Sequence, residues 1–94
     1  MSDWTFAQRD ASEQLARMHY FSMKHNAGDR DVEFTIKVYE YVTPPDPAMP
    51  FFAEADKQTN QKTMPYTPTG WGRTLLEALS RCRDAVVRFP YQGD

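Results

Sequence analysis

The stretch WTFAQRDASEQLARMHYFSMKH, residues 4–25, decides how the fold is read. It contains no Pro or Gly, and Trp4, Ala7, Ala11, Leu15 and Met18 recur at the three- and four-residue steps that align side chains on one helical face. This spacing predicts an amphipathic N-terminal helix. Asn26-Ala27-Gly28 follows, and because Gly tolerates the left-handed backbone that commonly ends helices, the helix is expected to stop at Gly28.

Beyond Gly28 the period changes. Val32, Phe34, Ile36 and Val38 alternate with Glu33, Thr35, Lys37 and Tyr39, the two-residue repeat of a strand with one buried face. After Val38 the alternation slips through Tyr39, Glu40, Tyr41 and Val42, so a bulge or strand end is expected there. The four prolines of TPPDPAMP, residues 43–50, make a stiff connection. A second strand, Phe51, Ala53 and Ala55 against Phe52, Glu54 and Asp56, returns antiparallel to the first. The polar KQTNQKT, residues 57–63, is read as a turn or mobile loop. A short third strand at Met64 to Thr69 would be confined to an edge by Pro65 and Pro68.

The last element starts at Thr74, which with Glu77 forms a capping box. Leu75, Leu79, Cys82, Val86 and Phe89, with Ala78 and Ala85 beside them, make a core-facing helical stripe that Pro90 stops. Glu77, Arg81, Asp84 and Arg88 alternate acid and base at four-residue steps on the solvated side. The expected fold is a single α+β domain over residues 1–94. Two helices pack on one face of a small antiparallel sheet of two or three strands, in the order α-β-β-(β)-α.

Composition narrows the function classes. The chain has 94 residues, 40% hydrophobic and 26% charged, room for one modest core. A net charge of −2 provides no global field toward nucleic acid or an anionic membrane. No apolar run approaches a membrane span, and the one cysteine, Cys82, excludes an internal disulfide, so a cytoplasmic protein without membrane contact is expected. No metal or other cofactor is expected, because Cys and His ligands at metal-binding spacing are absent.

Gly70-Trp71-Gly72 begins like a phosphate-gripping turn, but Thr74, Leu75 and Leu76 stand where a dinucleotide or Walker signature needs Gly, Lys or Ser. The glycines are read as a structural lead-in to the helix. The segment GWGRTLLEALSRCRDAV, Gly70 to Val86, is similar to the run joining the last strand to the last helix of double-stranded-RNA-binding domains. It also resembles the Gly-x-Thr-x-x-Glu-Ala-Leu segment of HicB-like antitoxin domains, whose core shares that fold. Both resemblances imply the α-β-β-β-α layout and a nucleic-acid-binding regulator as one alternative function. The chain departs from the RNA-binding pattern where Leu75 and Leu76 replace lysines at the helix start and where Pro44, Pro45, Asp46 and Pro47 give the first hairpin loop no cation. It also leaves no room for the DNA-binding segment that HicB-type antitoxins add. Nucleic acid is therefore not the expected partner.

Catalytic patterns are thin. His19 and His25, six residues apart, fall on different sides of a helix and have no carboxylate at diagnostic spacing, and Cys82 sits in the apolar stripe as an inert thiol. Glu33, Glu54 and Asp56, with Lys37 nearby, read as cross-strand charge pairs. A small enzyme is the second alternative, requiring a pocket ringed by Glu33, Glu54 and Tyr66. The feature beyond ordinary expectation is an excess of large apolar groups. Phe6, Tyr20 and Met23 fall off the first helical stripe, Tyr39, Tyr41 and Phe52 lie on or beside the sheet, and Tyr66 and Trp71 precede the last helix. Such excess marks an interaction surface. The leading expectation is a small non-catalytic protein-interaction module, acting as a homodimer or as a subunit of an assembly. The competing expectation is that the proline-rich loop and Phe89-Pro90-Tyr91 fold over some of these side chains.

Overall fold

A four-stranded antiparallel meander is followed by one helix. The computed structural model describes residues 3–27 and 30–92. A short 3₁₀ helix, Asp3–Ala7, precedes β1 (Ala16–Ala27), β2 (Arg30–Tyr41), β3 (Phe51–Ala55), β4 (Thr69–Gly72) and α1 (Leu75–Arg88). The strands lie in the order β1-β2-β3-β4. The class is α+β, but the expected pair of helices and the order α-β-β-(β)-α are wrong: the sheet has four strands and α1 is the one α-helix among the described residues.

The expected N-terminal helix is replaced by a turn and a strand. Between Ala7 and Leu15 short polar side chains capture backbone amides and so compete with helical bonding. Asp10 Oδ1 accepts from the Ser12 amide at 2.9 Å and the Ser12 hydroxyl at 3.0 Å. These bonds, the amide first, hold the Asp10 carboxyl below its ordinary range. Glu13 Oε1 accepts from the amides of Arg9 and Asp10. From Ala16 onward the chain pairs with β2 without interruption, from Ala16 opposite Tyr41 to Ala27 opposite Arg30. His, Tyr, Phe, Ser and Asn are middling helix formers and the aromatics favour strands, so the open backbone edge of β2 decides the outcome. Gly28, the expected helix stop, lies outside the described residues.

Antiparallel register puts directly opposed residues on one face. Val32, Phe34, Ile36 and Val38 of β2 turn toward α1, where they form one core with Ala53, Ala55, Ala78, Cys82 and Val86. Of the two expectations after Val38 the bulge is absent, since β2 keeps register with β1 through Tyr41 and with β3 through Glu40, and the strand end is met, since β2 stops at Tyr41. The third strand lies later than expected: Thr69–Gly72 forms β4, while Tyr66 makes only an isolated bridge to Thr59.

Thr74 caps α1 as its spacing predicts, with Oγ1 accepting from the Glu77 amide at 3.1 Å. The Glu77 carboxylate reaches back one residue further than a standard box, to the Arg73 amide at 3.0 Å. Gly70 and Gly72 are strand residues turned toward the helix rather than a lead-in to it. A Cβ on Gly70 would come within 2.7 Å of the Ala78 carbonyl oxygen, and one on Gly72 would overlap the Ala78 amide. The two glycines let β4 and α1 pack backbone to backbone.

Residues 57–63 make an ordered turn. Thr59 is fully buried, Asn60 takes a positive φ of 53°, and the Asn60 amide donates to the Pro90 carbonyl at 3.0 Å. Reciprocal bonds from the Lys62 amide to Gln92 and from the Gln92 amide to Gln61 fasten the C-terminal segment to this turn.

Candidate interaction surface

The alternation that sends Val38 and Ala53 under α1 sends their neighbours to the opposite face of the sheet, which no helix among the described residues covers. Met18, Tyr39, Phe52 and Trp71 fall in one row across all four strands, because 18 pairs with 39, 39 with 52 and 52 with 71. Tyr41 is two residues along β2, and Tyr20 stands in the adjacent row beside Lys37 and Glu54. The rings touch in a closed group. Phe52 and Trp71 have centroids 4.6 Å apart, Tyr39 and Tyr41 lie 5.7 Å apart and nearly parallel, Tyr39 and Phe52 are 6.0 Å apart, and Tyr41 and Trp71 6.2 Å. Each of the four is half-buried by the others, whereas Tyr20 on the edge strand is 64% exposed. Burial, then the neighbouring Tyr39 and Glu54, pushes the Tyr41 hydroxyl above its ordinary range. Lys37 and Glu54, directly opposed with their charged atoms 4.0 Å apart, border the group.

Of the eight side chains singled out in the sequence, five therefore share this face: Tyr20, Tyr39, Tyr41, Phe52 and Trp71. Phe6, 73% exposed, lies across a groove at the end of the sheet that Trp4, Glu40 and Tyr41 also line. Met23 is on the opposite face and packs against the core. Tyr66 lies tilted against Phe89, with ring centroids 4.7 Å apart, beside the end of α1. The expected covering of these side chains occurs in part, since Pro45, Asp46 and Met49 line a groove with Trp71 and Phe89 lies against Tyr66. Met18, expected in a helical stripe, belongs to the aromatic row. The strand alternation of Met18, Tyr20 and Ser22 would have placed it.

The catalytic alternatives find little geometry. Glu33 and Glu54 are on the open face while Tyr66 is beside Phe89, so the three ring no common pocket. His19 and His25 occupy alternate positions of a strand and hence one face, not different sides of a helix. His19 Nε2 lies 3.0 Å from Glu40 Oε1, a partner that only the β1–β2 register supplies. The Cys82 thiol is buried against the Pro68 carbonyl at 3.4 Å, and burial pushes it up to about 11. At the start of α1 the Glu77 amide donates to Thr74 Oγ1, and the Arg73 amide just before the cap donates to the Glu77 carboxylate.

Several of the cations are engaged within the chain. Arg81 bonds the Trp71 carbonyl and approaches Glu77, Arg83 pairs with Asp84, Arg17 stacks over Trp4, and Lys57 holds the Glu33 carbonyl. No helix among the described residues is long and apolar enough to cross a membrane. The chain matches no protein-family model, no curated protein and no solved structure.

Proposed function

We propose that this chain is a non-catalytic protein-interaction module, working as a homodimer or as a subunit of a larger assembly, with the open sheet face as its docking surface. The observation that carries this reading is the contiguous group of Tyr39, Tyr41, Phe52 and Trp71 on the face α1 leaves uncovered. Tyr and Trp dominate the centres of protein interfaces because they bury large area and retain a polar handle. Charged residues belong at the rim, where Lys37 and Glu54 stand. The rings are already ordered by one another, so docking on them costs little side-chain entropy.

Hydroxyl-radical footprinting tests this directly. In the native assembly Tyr39, Tyr41, Phe52 and Trp71 lose reactivity relative to the dilute purified chain, while Leu76 and Val87 on the exposed side of α1 do not. Equal reactivity of the four rings in both states would contradict the reading. The dispersed and engaged cations also support weak nucleic-acid binding only, on the order of 10⁻⁴ to 10⁻⁶ M for a duplex near physiological salt. A fluorescence-anisotropy titration giving submicromolar affinity that Arg73→Glu abolishes would favour the RNA-binding alternative instead.

A further inference from the structure

The two edges of the sheet are built differently. β4 is four residues long and follows the buried Pro68, a short edge that invites no further strand. β1 has twelve residues, contains neither Pro nor Gly, and keeps register with β2 throughout. At about 3.3 Å per residue it spans roughly 40 Å, most of the molecule's 48 Å long axis. Among the described residues no strand pairs with its outer side.

The hydrogen-bonding phase of that outer side is fixed. The Val42 amide donates to the Leu15 carbonyl at 3.0 Å, while the Tyr41 amide donates to Pro50 and the Asp56 amide to the Thr35 carbonyl, both at 3.0 Å. Even-numbered residues of β2 therefore bond toward β1, and their odd-numbered partners in β1 bond back. The amides and carbonyls of Met18, Tyr20, Ser22 and Lys24 point outward, unmatched by β2.

We infer that this edge pairs antiparallel with β1 of a second copy, about a two-fold axis perpendicular to the sheet near Phe21 and Ser22. The inference rests on the interaction-module reading and names one partner and its surface. A two-fold axis makes the edge its own complement, and the phase admits only registers in which even-numbered residues meet even-numbered ones. Charge favours a copy over an acidic foreign strand. Arg17 and Lys24 stand on opposite faces of β1, so the strand offers no cationic stripe.

Side chains on both faces fit the seam. On the helix side a groove of about 310 Å³, lined by Phe21, Met23, Leu79 and Arg83, flanks the edge, and pairing brings two such grooves together around two Phe21 rings. On the other side the exposed Tyr20 gains cover from its symmetry mate. The axis keeps both helices on one face, so the dimer is an eight-stranded sheet with both aromatic groups on its open side.

Solution mass and amide exchange, measured on the same wild-type samples from micromolar to submillimolar concentration, test the inference. A species of twice the 10.9 kDa chain mass is expected, in which the amides of Met18, Tyr20, Ser22 and Lys24 are protected alongside their odd-numbered neighbours. Ser22→Pro removes only an outward donor, which an edge strand tolerates, and should weaken dimerisation at least about tenfold while circular dichroism stays unchanged. Ser22→Lys, which keeps the donor and sets a cation near the axis in each copy, should weaken it in the same direction and covers the case in which the proline variant misfolds. An oligomer whose outward amides exchange far faster than the odd-numbered ones would overturn edge pairing and leave the docking role of the aromatic face standing. A monomer at every concentration would overturn it too, and one whose four aromatic residues also show unchanged footprinting would overturn both.

Discussion

The two faces of this sheet are made from alternate residues of the same strands, yet they are finished in opposite ways. Under α1 the side chains are mostly aliphatic or very small, with Phe34 as the one fully buried ring among the described residues. Ala53, Ala55, Gly70, Gly72 and Ala78 let strand and helix close to backbone contact, and Phe34, Ile36, Val38 and Val86 fill the space that remains. On the other face the corresponding positions hold Tyr39, Tyr41, Phe52 and Trp71, large rings that lean on one another, with only the loop residues Pro45, Asp46 and Met49 beside Trp71 among the described residues. The closed face owes its stability to shape, and the open one has apolar area left for another surface. If this contrast is correct, substitutions on the closed face should act mainly on folding and those on the open face mainly on association.

The largest effect is expected at the centre of the closed face. Phe34→Ala should destabilise the chain by about 3–5 kcal/mol, because the ring's contacts and the volume it fills are lost together. Gly72→Ala should approach the upper end of about 1–3 kcal/mol, since the added methyl meets backbone of α1 that cannot rotate away. Denaturant titration measures both, and a Gly72→Ala chain as stable as wild type would show that β4 and α1 are not in close contact.

The closed face should also show in alkaline solution. In the folded chain the Cys82 thiol keeps its proton to about 11, above the ordinary value of 9.0, whereas the unfolded chain releases it earlier. Folding stability is therefore unaffected by Cys82 below pH 9 and declines as pH rises toward 11, by on the order of 2 kcal/mol. Cys82→Ala should remove that part of the alkaline decline, and identical pH profiles for the two chains would contradict the burial. The smallest effect belongs to the open face. A double-mutant cycle on Phe52 and Trp71 in the monomer should yield a coupling of about 0.5–1.5 kcal/mol. A larger value would mean that the aromatic group serves folding rather than association.

What the sequence disclosed divides along the same line between local and long-range information. The helix α1 was legible because its cap, its stripe and its stop at Pro90 all lie within one short segment. The alternation of Val32 to Val38 and of Phe51 to Ala55 marked β2 and β3 for the same reason. β1 was not legible from its side chains, since Leu15, Met18 and Phe21 keep a three-residue helical step while only Phe21 and Met23 mark the alternation of its core face. Its state is set by the edge of β2, and the local pointer to that partner was Gly28-Asp29, two residues of hairpin-turn type between the strand sequences. Tyr39, Tyr41, Phe52 and Trp71 could be marked as surplus aromatics, but only register places them in one group. The His19–Glu40 contact was hidden for the same reason.

The central claim is that this chain works assembled, through apolar surface that α1 does not cover. Light scattering on the purified wild-type chain across a wide concentration range tests it most directly. The expected result is a mass of at least twice 10.9 kDa that falls toward the chain mass on dilution. A monodisperse species of 10.9 kDa at every concentration, which also retains no partner from its native lysate, would contradict it.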